Sequence, residues 1–108
     1  MTTIKLIKNG DITVGFDVSG HSGYAESGSD IVCAAISSSV SLVEMILNDS
    51  FNAGADVYVD PETARITLML NKSCDKCHSV LKAFGQYMCS ISEEYPKYIK
   101  ILEVQSNA

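Results

Sequence analysis

Little in this sequence is suited to nucleic acid. Its eight Lys and Arg are scattered without a basic cluster and are outnumbered by thirteen Asp and Glu, which leaves a formal net charge of -5. No row of phosphates could be neutralised by such a distribution, so direct nucleic-acid binding is not expected. Apolar runs are short beside the roughly 18 residues of a membrane span, so no membrane partner is expected. The start, Met1 to Lys5, lacks the basic and then apolar regions of a secretory signal. A cytoplasmic location is therefore expected, and with it four free thiols at Cys33, Cys74, Cys77 and Cys89, because cytosolic reductants oppose a disulfide framework. There are only two prolines, and no repeat, low-complexity tract or linker divides the chain, so residues 1–108 are expected to form a single domain.

What is present alternates cleanly. Ile12, Val14, Phe16 and Val18 fall on one face of a strand and Thr13, Gly15 and Asp17 on the other. A weaker alternation, Ile4 and Leu6 around Lys5, precedes it, and Asn9-Gly10 between them predicts a tight antiparallel hairpin. From Gly20 to Ser29 glycine and serine dominate without apolar periodicity, the pattern of a surface loop. A helix capped by Ser29 or Asp30 follows, with Val32, Ile36, Val40, Val43 and Leu47 as its buried stripe and Asn48-Asp49-Ser50 as its end. Strands over 56–59 and 64–70 form a second hairpin around the turn at Asp60-Pro61. Ser73 can cap a second helix with Cys77, Leu81, Phe84, Met88, Ile91 and Tyr95 on one stripe, closed by Pro96. A last strand spans 98–104. The order ββαββαβ predicts a two-layer α+β domain: an antiparallel or mixed sheet with two helices packed against it.

Chemistry at neutral pH has two imidazoles to draw on, His21 and His78, each near a cysteine. His21 stands just past a strand end and twelve residues before Cys33, which the pattern puts in the first turn of a helix. Free N–H groups and the positive helix end stabilise a thiolate there, and a nearby imidazolium adds to this. The same N–H groups could hold an oxyanion, and the histidine could protonate a leaving amine. Equally, Cys33 could be a small core residue beside Ala34 and Ala35, with His21 merely on a loop. By strand parity His21 continues the polar face, so the backbone has to bend at Gly20 to aim the imidazole at the helix.

Gly20-His21, Gly23-Tyr24-Ala25-Glu26, Gly28 and Asp30-Ile31-Val32-Cys33-Ala34-Ala35 with Ser37 resemble the ribosomal-processing cysteine protease family, most closely over residues 20–37. The resemblance implies a homodimeric bacterial endopeptidase that removes a short N-terminal extension from a large-subunit ribosomal protein, with no cofactor or metal. It places the catalytic histidine on His21, the nucleophile on Cys33, and motif residues on Gly20, Asp30 and Ser37. Asp30 has a structural explanation as well, as the helix cap, and Ser37, one turn past Cys33, could orient the thiolate or bond a backbone carbonyl. Gly23 and Gly28 are expected hinges of the loop that an extended peptide would have to move. Ser22 departs from the alanine expected after the histidine, and Ser38-Ser39 make the helix more polar than usual. The family's substrate extension ends in aromatic residues, on a protein rich in Lys and Arg, which suits an acidic enzyme.

Cys74-Asp75-Lys76-Cys77-His78 competes for attention, since the spacing fits haem attachment, a thiol redox pair, or three metal ligands. Its two cysteines also fall on the buried stripe of the second helix, and core packing is the expectation preferred there. The alternative to an enzyme is a non-catalytic homodimeric interaction module that binds a ribosomal protein and uses Cys33 only for packing.

Overall fold

The computed structural model describes residues 1–25 and 30–106. Its elements follow the expected order: β1 (Thr2–Asn9), β2 (Ile12–Ser19), α1 (Ile31–Met45) continued by a π-helical turn (Ile46–Ser50), β3 (Asp56–Asp60), β4 (Arg65–Met69), α2 (Asp75–Glu94) and β5 (Ile99–Gln105). The five strands form one sheet in the order β3-β4-β2-β1-β5, antiparallel throughout except for the parallel β1–β5 pair. The sheet is thus mixed, and with its two helices makes the two-layer α+β domain that the sequence predicts.

Gly10 turns the first hairpin at φ +63°, a conformation that favours glycine. The Gln105 side chain clamps that turn from β5, accepting from the Gly10 N–H at 3.1 Å and donating to its carbonyl at 3.3 Å. Ile4, Leu6, Phe16, Val18 and Leu68 of the sheet are buried against the stripe of α1 and its extension and against Cys77, Leu81, Phe84, Met88 and Ile91 of α2. Phe16 and Phe84 stack with ring centroids 4.3 Å apart, and Gly85 lets α2 approach so closely that a Cβ there would stand 3.0 Å from Leu6.

Three details differ from the sequence expectation. Residues Ile31–Ser50 form a 20-residue helical stretch that is long and apolar enough, by composition, to cross a bilayer; in this fold its apolar stripe packs into the core. The supposed polar face of β2 is not open to solvent: Thr13 and Asp17 are buried, Asp17 beneath an ion pair with Arg65 and within 3.4 Å of the Thr67 hydroxyl. The cap of α2 is Cys74, one residue later than Ser73, its sulfur accepting from the Cys77 N–H at 3.3 Å.

The cysteines require a fourth correction. Cys74 and Cys77 are joined in a disulfide, and only Cys33 and Cys89 are free. One helical turn brings residues three apart into bonding range, here with Cα atoms 5.1 Å apart.

Candidate active site

At Gly20 the chain leaves β2 with φ +85°, and a Cβ there would lie 2.8 Å from the Met1 carbonyl oxygen. Only glycine combines that backbone with that close approach. The Gly20 N–H donates to the Ala64 carbonyl at 3.1 Å, and the Thr2 hydroxyl donates to the Gly20 carbonyl at 3.4 Å. So tethered, the bend turns His21 away from the polar face of β2 and onto a cleft of about 420 Å³. Cys33 and Ser37 line the same cleft from α1, and Val59, Asp60, Pro61 and Arg65 form its far wall from β3, β4 and their turn.

Asp30 caps α1. Its Oδ1 accepts from the Cys33 N–H at 2.9 Å, and its Oδ2 accepts from the Ser22 hydroxyl. Partial burial by itself raises the Asp30 carboxyl. The hydrogen bonds it accepts from Ser22, from the Cys33 N–H and thiol, and from the Val32 N–H outweigh that and hold it at about 2, below its ordinary 3.8.

Ser22 is the residue whose importance the sequence did not disclose. It is 2% exposed; its hydroxyl accepts from the Tyr24 N–H at 3.2 Å while donating to Asp30, and its own N–H points at the Cys33 sulfur at 3.4 Å. It ties the segment after His21 to the start of α1. Tyr24 then packs edge-on against Tyr95 and Tyr98, with centroids 5.6 and 5.2 Å away, and pins the segment to the far end of α2. Gly23 has φ +75° with open space around it, whereas Gly28, the other expected hinge, lies outside the described residues.

His78 is placed elsewhere. Its Nδ1 donates to the Thr13 carbonyl at 3.1 Å, at the opposite end of β2 from Gly20. Among the described residues no group of three or more His, Cys, Asp or Glu side chains is arranged to hold a metal ion.

A sulfur at the start of a helix, with an imidazole on the same cleft, is the equipment of a thiol peptidase, and the family model for cysteine protease Prp matches residues 1–100. The chain belongs to the Prp family of cysteine proteases. Like that family, it is a cysteine protease. Its fold is similar to that of the ribosomal processing protease Prp from S. aureus in complex with a covalently linked product peptide (TM-score 0.89, 20% identity, 96% of this chain and all of that one). It is similar also to SMU.848 from Streptococcus mutans (TM-score 0.85, 21% identity, 98% of this chain and 96% of that one). No curated protein sequence matches the chain.

Proposed function

We propose that this Prp-family protease is an endopeptidase in which Cys33 is the nucleophile and His21 the base and then the acid. The observation that carries this is the meeting of both side chains on one cleft, with the sulfur in the first turn of α1. His21 takes the thiol proton, and the thiolate, favoured by the positive end of α1, adds to the scissile carbonyl carbon. The imidazolium then protonates the leaving amine, and water, deprotonated by His21, releases the acid product from the thioester. Asp30 holds the start of α1 by accepting from the Cys33 N–H. Gly20 aims His21, and Ser37 borders the cleft one turn along α1 from the nucleophile.

The substrate we infer is the N-terminal extension of a large-subunit ribosomal protein, cut after aromatic residues in the cytoplasm. The S. aureus protein of the same fold is a ribosomal processing protease with crystal structures holding a substrate peptide and a covalently linked product peptide. The 20–37 motif resembles the family's catalytic segment, and the acidic charge suits a basic substrate protein. We further propose a homodimer, because α1 exposes Ile31, Leu42 and Met45, each more than half accessible.

The decisive experiment is incubation of the purified protein with a peptide spanning such an extension. Wild type cleaves it after the aromatic residues, Cys33→Ala does not, and His21→Ala both slows cleavage by about 100-fold or more and slows alkylation of Cys33. Cleavage that survives Cys33→Ala would overturn the assignment of the nucleophile. Cleavage of other peptides but not of this one would overturn the substrate.

A further inference from the structure

The Cys74–Cys77 bridge is not accounted for by proteolysis. It sits at the start of α2, near the Thr13 end of β2, six residues along the strand from the Ser19 end where the cleft opens, or roughly 20 Å. We propose that Cys74 and Cys77 form a thiol–disulfide exchange site that reacts with a small, carboxylate-bearing thiol.

Three features support this. The bridge closes so short a loop that it constrains the unfolded chain little. The cysteines are held together by the first turn of α2 in any case, and Cys77 is anchored in the core beside Leu81 and Phe84. Opening and closing the bond therefore leaves the fold intact.

The two sulfurs are also unequal. Cys77 is fully enclosed at 0% exposure, whereas Cys74 keeps partial access to solvent and, as the cap, receives the Cys77 N–H. An incoming thiolate reaches Cys74, and a Cys74 thiolate is stabilised by that N–H and the positive helix end.

Beside the bridge lies a groove of about 230 Å³ lined by Asn9, Asn71, Lys72, Ser73 and His78 over an apolar floor. His78 joins groove and bridge: its Nδ1 donates to the Thr13 carbonyl, which leaves Nε2 as the acceptor facing the Cys74 N–H at 3.5 Å and the Ser73 hydroxyl at 3.4 Å. Lys72 supplies a cation for a carboxylate. The dimensions suit a small molecule rather than a protein loop.

The small thiolate attacks the Cys74 sulfur, a mixed disulfide forms there, and Cys77 leaves as a thiolate that takes up a proton. A second small thiolate attacks the sulfur of the first, Cys74 leaves, and the small disulfide departs. Two small thiols are oxidised by two electrons, and the protein disulfide is reduced by two.

The test uses the native full chain, reduced glutathione as the probe, and cysteine-by-cysteine alkylation mapped by mass spectrometry, with no peptide substrate present. Cys74 should become alkylated by the native chain without denaturant while the enclosed Cys77 is alkylated only after later unfolding, and adding back oxidised glutathione should place the mixed disulfide on Cys74. Lys72→Glu should slow opening by glutathione about fivefold while leaving opening by uncharged 2-mercaptoethanol unchanged. A bridge that opens only after the chain is unfolded, or a mixed disulfide on Cys77, overturns the exchange site. Equal effects of Lys72→Glu on both thiols, or none on either, overturn the groove as the seat. Because cleavage is not measured, failure here is separate from failure of the peptidase assignment.

Discussion

One carboxylate sets the start of the helix that carries Cys33, and its protonation has a definite sign. The Asp30 carboxyl lies at about 2 in the folded chain against an ordinary 3.8, so the unfolded chain takes up the proton first as pH falls. The stability this group contributes is complete above 3.8 and is lost as pH falls through about 2. Asp30→Asn keeps a capping side chain but does not titrate. Its stability deficit against wild type should therefore shrink between about pH 5 and about pH 3 in urea unfolding; a deficit constant with pH would contradict the network. Ser22→Ala removes the hydroxyl donated to Asp30 but keeps the backbone N–H directed at Cys33. It should cost about 1 kcal/mol and narrow the same acid window. None of this network was legible beforehand, because Ser22 and Asp30 meet only once the bend at Gly20 has formed. The capping role of Asp30 was legible, since it needs only local spacing.

Among elements, the bend between β2 and the segment that begins at His21 is the most exposed to a single substitution. Gly20 and Gly23 both have positive φ, but only Gly20 has a backbone oxygen 2.8 Å from where a Cβ would stand. Gly23→Ala should cost about 1 kcal/mol through backbone strain alone. Gly20→Ala adds the clash with Met1 and displaces His21, so it should cost more in thermal stability and lower kcat/KM by about tenfold or more. Equal effects of the two variants would show that the Met1 contact does not set the direction of the imidazole. The helices and hairpins were readable because three-and-four spacing and Asn9-Gly10 act locally. The start of α2 was misplaced by one residue because serine is the stronger general cap, and nothing in Ser73-Cys74 shows that the Cys74 sulfur reaches the Cys77 N–H. The bridge was missed for a related reason: residues at 74 and 77 share a helical stripe whether or not their sulfurs are bonded.

Across the whole molecule, the far wall of the cleft was the hardest part to foresee. Asp60 and Pro61 read as turn residues, and only the non-local pairing of β4 with β2 carries them opposite Cys33. Charge, by contrast, was available from composition and acts over the same scale. With thirteen acidic and eight basic residues, the protein presents a net negative field. A lysine-rich peptide approaching it is attracted over a screening length that shrinks from roughly 30 Å at about 0.01 M salt to roughly 8 Å at about 0.15 M. For such a peptide, kcat/KM should fall severalfold across that range while kcat at saturation holds steady, because attraction speeds encounter and leaves the chemical step alone. A peptide with the same residues around the cut but glutamates in place of the lysines should show a flat or rising kcat/KM. Stopped assays on both peptides at matched pH separate the cases; parallel salt curves would mean that contacts inside the cleft, such as those with Asp60 and Arg65, select the substrate instead of the field of the whole protein.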